Sequence, residues 1–424
     1  MTLLVLGVLP AALLAMGVPI FAVLMAATLG GIMIGTNPVQ AIHSAMFGSL
    51  DIFPLLAVPL FIFAGDIMAR GGIARRLIEL ILAIVGGVRG SLGIATIASS
   101  EVFGVMSGSS VACVAAIGKL TIPSLRKNGY GEVFSTSLVT ASGVISVIIP
   151  PSIPMIIYGI AAQQSVPLLF LAGFVPGILI GCALAIYVYF YARAKGIPIT
   201  KRPDRQSIAA LFRSSIWSTF APIVILGGIY GGVFTPTEAA GIACIYAIVI
   251  SIFVHREISW RDLWDISLES AALSAQVLII VSAAGAFGWL ITTSGYPAQL
   301  IGFVDGLKLQ PWMLLLVINV ILLFVGSVLE PPAAILLLTP LLTPIVYAVG
   351  VDPIHFGIVV TVNLAVGMFM PPFGLNLFAA NALFHTPLPR LYRGVLPFLF
   401  VYLVMLMVLT YIPAITLAPL ALLR

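Results

Sequence analysis

From Val133 to Pro167 the chain holds no Asp, Glu, Lys or Arg, yet Pro150, Pro151 and Pro154 sit in the middle of that run. An uncharged apolar stretch of this length is long enough to cross a hydrocarbon layer about 30 Å thick as a helix. A proline inside a helix removes a backbone donor and costs about 3 kcal/mol. In lipid no water can satisfy the carbonyl left behind, so such a break must be buried in protein or line a cavity. The segment therefore reads as a membrane helix that is broken on purpose.

Similar apolar runs recur along all 424 residues, of which 8% are charged, and the mean hydropathy is +1.21. Soluble domains carry roughly 25% charged residues. The pattern implies an all-α, many-helix membrane bundle rather than a barrel. Unbroken spans are expected at about 3–34, 53–69, 168–192, 215–234, 236–254, 268–290 and 395–420. The net charge of +5 then reports topology rather than nucleic-acid binding. Cys113, Cys182 and Cys244 lie far apart in apolar sequence and read as buried thiols. No nucleotide-binding motif, intramembrane Ser-His set, acid pair or histidine metal spacing is visible, which argues against an enzyme. The apolar start lacks a basic region and a small-residue cleavage site, so it reads as a retained helix.

The two halves of the chain resemble each other. "GSSVACVAAIGKLT" (108–121) matches "GSVLEPPAAILLLT" (326–339) at an offset of 218. At an offset of 221, Gly129, Val139, Thr140, Pro150, Pro151, Gly173 and Pro176 fall on Gly350, Val360, Thr361, Pro371, Pro372, Gly394 and Pro397. Each half also holds an apolar segment with a small polar tip. One turns at Ser107–Ser110; the other runs from Trp312 to Gly350 and turns at "GSVLEPP". Both read as re-entrant hairpins. With a cytoplasmic N-terminus, 16 of the 19 basic residues then fall on the cytoplasmic side: Arg70, Arg75, Arg76, Arg89, Arg126, Lys127, the six from Arg193 to Arg213, Arg256, Arg261, Arg390 and Arg393. Lys308 and Arg424 fall outside, and Lys119 lies within a hairpin. An odd number of crossings separates equivalent elements, so the repeats are expected to be inverted. The expected organisation is an N-terminal scaffold helix and connector (1–52), a first repeat (53–192), a cytoplasmic loop with linking helices (193–267) and a second repeat (268–424).

Inverted repeats with broken helices at mid-membrane point to a secondary-transporter site. A half-helix C-terminus offers carbonyls to a small cation, and a half-helix N-terminus offers N–H groups to an anion. By their missing donors, Pro150 and Pro151 release the carbonyls of Ser146 and Val147, and Pro371 and Pro372 those of Gly367 and Met368. Pro331 and Pro332 suit a first helical turn, Glu330 a helix N-terminus, and Ser109 and Ser110 are N-cap residues. A channel is the rival reading, but it needs a continuous polar pore rather than two closed breaks.

"MSGSSVACVAAIG", "IIPPSIPMIIYG", "LEPPAAILLLTPLLTPIVYAVGVDPIHFGIV" and "MPPFGLNLF" resemble the large membrane subunit of the tripartite ATP-independent periplasmic (TRAP) transporters, DctM-like, over essentially the whole chain. The resemblance implies an elevator-type transporter in the bacterial inner membrane, driven by a sodium gradient and using no other cofactor. It also implies a small four-helix permease subunit and a periplasmic binding protein that delivers an organic acid, such as sialic acid or a C4-dicarboxylate. A stand-alone ion-coupled anion symporter without a binding protein is the alternative. Carried across, one sodium site uses Ser107, Gly108, Ser109 and Ser110 with Ser146, Val147 and Pro150; the other uses Gly326, Ser327 and Val328 with Gly367, Met368 and Gly374. Substrate would lie near Ser109, Ser152, Pro154 and Asn376. Cys113 stands where the family commonly has an acid, and Lys119 where it has a small or apolar residue.

Intramembrane charges are costly, at least about 2.5–3.5 kcal/mol at a span centre. Glu101 and Lys119 would lie roughly 12 and 15 Å from the first hairpin tip on antiparallel arms, so they read as a structural charge pair across the hairpin, the alternative being that Lys119 snorkels towards the cytoplasm and Glu101 meets another polar group. Asp66 reads as a helix-end charge, and His355 as a capping or loop residue near a helix start. Asn319 and Asn363 suit either transport-core contacts or packing glue, and Asn363 aligns with Ser142. The short segments 73–88 and 296–307 are amphipathic and read as interfacial arms or connectors.

Overall fold

The structure is a computed structural model that describes residues 9–34, 38–199 and 205–421, and all regular elements among them are helical. Residues 3–8 of the expected first span, Lys201, Arg202 and Arg424 lie outside the described residues. The order begins with α1 (Leu9–Ala15), α2 (Ile20–Ile34), α3 (Gln40–Leu50), α4 (Ala57–Arg70) and α5 (Ile73–Ile84). The first hairpin is α6 (Ser91–Ser107) and α7 (Ser110–Lys127); the first broken helix is α8 (Glu132–Gly143) and α9 (Ile153–Ala161). Then come α10 (Val166–Ala194), α11 (Arg205–Tyr230), α12 (Pro236–Val249), α13 (Trp260–Thr293) and α14 (Tyr296–Gly306). The second hairpin is α15 (Pro311–Val328) and α16 (Pro331–Ala348), and the second broken helix is α17 (Pro353–Gly367) and α18 (Leu375–Phe384). The described chain closes with α19 (Leu388–Tyr411) and α20 (Ala414–Ala421).

Among the described residues, eight helical segments are long and apolar enough to cross a membrane. The chain is a multi-pass membrane protein. Two expected spans are interrupted. The stretch 3–34 breaks between α1 and α2, where Gly17 adopts φ +79° and Pro19 cannot donate to a continuing helix. The stretch 395–420 breaks at Pro413 for the same lack of a donor.

The helix bounds repeat at a constant spacing. α6 ends at 107 and α15 at 328; α7 covers 110–127 and α16 covers 331–348; α8 starts at 132 and α17 at 353, each pair 221 apart. The hairpins thus keep the offset of the breaks, and the sequence match at 218 is not their register. That match leaned on Ala-Ala-Ile and Leu, residues that any apolar helix can supply. On the 221 register Ser109 corresponds to Glu330, and each is the N-cap of its arm.

The helix preceding each break is enclosed: ten residues of α8 in succession, Phe134 to Gly143, and fourteen of α17, Ile354 to Gly367, are buried, His355 and Asn363 among them. By contrast α11 turns Phe212, Trp217 and Phe220 outward. Of the cysteines, Cys113 and Cys244 are buried, but Cys182 is exposed on α10. Its neighbour Gly181 takes the inward face of that helix, against Glu101.

The residues expected at the cytoplasmic side converge. Arg75 and Arg76 at the start of α5 each reach Glu257 Oε1 at 2.6 Å, and Arg70 pairs with Glu269. Arg76 Nη1 also donates to the Gly72 carbonyl at 3.1 Å. Glu257 thereby ties the α4–α5 joint to the loop that precedes α13. Partial burial opposes its charge, but the Arg76 and Arg75 guanidiniums outweigh that and hold its carboxyl below the usual range. A depressed folded pKa stabilises above the unfolded value, near 4.5, and that stability is lost as pH falls through the folded value. Wild-type protein in detergent is therefore expected to lose thermal stability on acidification below that pH. Glu257→Gln should be less stable by about 1 kcal/mol at neutral pH and show a flatter acid limb.

Candidate functional site

Each hairpin tip rests on the break that follows it. At the first, α6 ends at Ser107, Gly108 adopts φ +58°, and Ser109 caps α7 by accepting the Ala112 N–H at 3.4 Å. A Cβ added to Gly108 would lie 3.3 Å from the Pro151 carbonyl oxygen. One turn earlier, a Cβ on Gly104 would lie 2.6 Å from Ser146 Cα, so the arm and the break meet backbone to backbone. Ser107 packs on α4 as well, its Cα 2.8 Å from where a Gly65 Cβ would stand.

The second tip repeats this contact more tightly. A Cβ on Gly367 would lie 2.3 Å from the Gly326 carbonyl carbon and 2.6 Å from its oxygen. A Cβ on Gly326 would lie 2.9 Å from Leu364 Cα. Glycine is required on both sides of this crossing. Ser327 turns its hydroxyl back to the Phe324 carbonyl at 2.7 Å, and Val328 is exposed beside it.

The carbonyls released by the prolines are mostly re-engaged. Val147 O accepts the Ser152 hydroxyl at 2.5 Å, Gly367 O accepts the Met370 N–H at 3.0 Å, and Met368 O accepts the Asn376 N–H at 2.8 Å. Each carbonyl oxygen has a second lone pair. Ser146, the fourth, turns its hydroxyl to the Gly143 carbonyl at 2.7 Å and is fully buried. Both Pro–Pro bonds, Pro150–Pro151 and Pro371–Pro372, are cis. Gly374 closes the second break by donating to Met370 O at 3.0 Å.

Of the residues expected near substrate, Ser152 spends its hydroxyl inside its own break and also caps α9 through the Met155 N–H at 3.4 Å. Pro154 is buried in the first turn of α9. Asn376 reaches across to the other repeat: its Nδ2 donates to Ser110 Oγ at 2.6 Å and to Thr140 O at 3.3 Å. Sequence reasoning placed Ser110 and Asn376 in different sites and did not see this bond. It also missed Gly104, which the 221 register would have set beside the position of Gly326.

The expected Glu101–Lys119 pair is absent from the ion pairs among the described residues. Glu101 leaves α6 towards Gly181 of α10, whereas Lys119 is exposed on α7. Lys119→Glu is accordingly expected to change transport and stability by no more than about 0.5 kcal/mol, which uptake assays and melting in detergent would check.

A polar chain lies behind the second contact. Asn363 Nδ2 donates to Asn319 Oδ1 at 2.8 Å, and Asn319 Nδ2 donates to Thr410 Oγ1 at 3.0 Å. His355 is buried rather than in a loop, with Nδ1 2.8 Å from Thr416 Oγ1 and Nε2 3.2 Å from Thr410 O; the cap is Asp352. In the first repeat Ser100 Oγ meets Ser142 Oγ at 3.1 Å, so both repeats tie the first hairpin arm to the buried helix. Asp66 accepts the Ser270 hydroxyl at 2.6 Å at its helix end.

Residues 7–415 match the family described as "Tripartite ATP-independent periplasmic transporter, DctM component". The chain belongs to the DctM family. It is 40% identical over 382 residues to the C4-dicarboxylate TRAP transporter large permease protein DctM of Pseudomonas aeruginosa, covering 90% of each chain. It is 35% identical over 406 residues to the sialic acid TRAP transporter large permease protein SiaM of Vibrio cholerae, covering 96% of this chain and 95% of that one. The isethionate TRAP transporter permease protein DctMQ of Oleidesulfovibrio alaskensis is 42% identical over 405 residues; the match takes in 95% of this chain but 64% of that protein's length. Among solved structures, the YdaH transporter of Alcanivorax borkumensis superposes with a TM-score of 0.68 at 14% identity, covering 95% of this chain and 97% of that one. That likeness concerns the fold. DctM-family chains are transporter permeases rather than enzymes, and the relatives' names span C4-dicarboxylates, sialic acid, isethionate and ectoine.

Proposed function

We propose that this chain is the sodium-coupled large subunit of a TRAP transporter that imports an organic acid by an elevator movement. The observation that carries the reading is the paired contact of hairpin tip on helix break, at Gly108 with Pro151 and at Gly326 with Gly367. Each contact brings half-helix carbonyls (Ser146 and Val147, or Gly367 and Met368) beside a hairpin tip, serine-rich at Ser107–Ser110 and glycine–serine at Gly326–Ser327, which suits a small cation. The N-termini of α9 and α18 supply N–H groups and the positive dipole end for an anion. Substrates named for the relatives each bear a carboxylate or sulfonate group, in keeping with that polarity. Sialic acid and C4-dicarboxylates are the leading candidates. The repeats are proposed to be inverted, with the N-terminus cytoplasmic in a bacterial inner membrane. A small permease subunit and a periplasmic binding protein are the proposed partners.

Uptake by proteoliposomes holding this chain with its small subunit tests the reading, with binding protein and labelled acid outside. An inward sodium gradient should drive accumulation, and a potassium gradient should not. Accumulation that ignores the sodium gradient would remove the coupling. Accumulation without binding protein would favour a stand-alone symporter.

A further inference from the structure

Asn376 joins elements that otherwise belong to separate ion sites. It is the second residue of α18, and its backbone N–H holds Met368 O of the second break at 2.8 Å. Its Nδ2 holds Ser110 Oγ, the first residue of α7 at the tip of hairpin one, at 2.6 Å. The same nitrogen reaches the Thr140 carbonyl at 3.3 Å. Thr140 is free to accept because the helix tightens at Val144, whose N–H turns to Ser142. Asn376 is fully buried, and its Oδ1 has no donor among the described residues. An orphaned buried acceptor is a net cost that an apolar side chain of the same volume would not incur. The amide is there for what its nitrogen holds.

We infer that Asn376 is the positioning residue that couples the two cation sites, a claim that rests on the sodium sites proposed above. A cation drawn to Met368 O draws the first turn of α18 with it through the backbone bond. The rigid amide passes that displacement to Ser110 and hence to the first tip. By linkage, a cation at the first tip acts equally on Met368. Asn376 itself needs to touch no ion for this.

Sodium titration of the purified chain in lipid nanodiscs by calorimetry tests the coupling. Wild type should bind two ions with a Hill slope near about 2, and Asn376→Leu should still bind two ions with a slope falling towards about 1. Asn376→Ser, too short to reach Ser110, should behave alike and serves if the leucine variant does not fold. Melting in sodium-free buffer checks folding of each. An unchanged slope in a folded variant overturns the coupling while leaving the ion sites standing. A variant that binds a single ion makes Asn376 a ligand and overturns the positioning role. Two independent ions in the wild type would also overturn the coupling, and a wild type that takes up no sodium fails the underlying reading instead.

Discussion

Gly367→Val is expected to lower the apparent sodium affinity of uptake by about 10–100-fold, with folded protein still recovered from the membrane. Overpacking a close contact costs about 1–3 kcal/mol, and a factor of ten in affinity corresponds to about 1.4 kcal/mol. The added atoms fall where the Gly326 carbonyl group stands, 2.3 and 2.6 Å from the Cβ. Backbone cannot move aside as a flexible side chain would. The strain is therefore delivered to the tip of hairpin two and to the Gly367 and Met368 carbonyls. A sodium titration of uptake at saturating acid is the measurement. Gly104→Val should act on the first site in the same way, because its Cβ meets Ser146 Cα at 2.6 Å.

Asn319→Ala is expected to destabilise the folded chain by on the order of 2–4 kcal/mol, read as a lower melting temperature in detergent. Its amide holds Asn363 on one side and Thr410 on the other, and the site is buried. Removing it strips Thr410 Oγ1 of its donor and leaves Asn363, whose Oδ1 already has no donor among the described residues, with its backbone contact to Val359 O at 2.8 Å. The hairpin-to-helix contact of the first half, Ser100 with Ser142, should be milder. Ser100→Ala removes a hydroxyl pair in which both oxygens also bond backbone carbonyls, at 3.0 Å to Thr96 and 3.4 Å to Val139. A loss of about 1 kcal/mol is expected there. Equal losses at the two positions would show that the second-repeat chain is not the more tightly determined one.

The contrast between these positions shows what a sequence can carry. Proline pairs and hairpin tips were legible because a missing N–H and a glycine act through the backbone, which follows from residue type alone. Helix breaks at Pro150–Pro151 and Pro371–Pro372 and turns at Gly108–Ser109 and Leu329–Glu330 therefore stand where the residues require them. Side-chain partners were less legible. Spacing suggested that Glu101 and Lys119 could meet, but Glu101 packs against Gly181 and Lys119 is exposed, because spacing alone does not fix the rotation of two arms. His355 looked like a capping residue because it follows "GVDP", yet Asp352 took that role and freed the imidazole for the core. The hairpin offset of 218 failed because alanine and leucine recur in any apolar helix, whereas the caps at Ser109 and Glu330 mark the register. Asn376–Ser110 crosses between repeats and has no signature in either segment.

Thermal unfolding of the purified chain in sodium chloride against potassium chloride at equal ionic strength tests the central claim most directly. Ligand that binds the native state raises its stability with concentration. If the tip-on-break contacts hold sodium, melting should rise with sodium and not with potassium, and the rise should vanish when Gly104→Val and Gly367→Val are combined. Identical melting in the two salts across the whole concentration range would contradict the account.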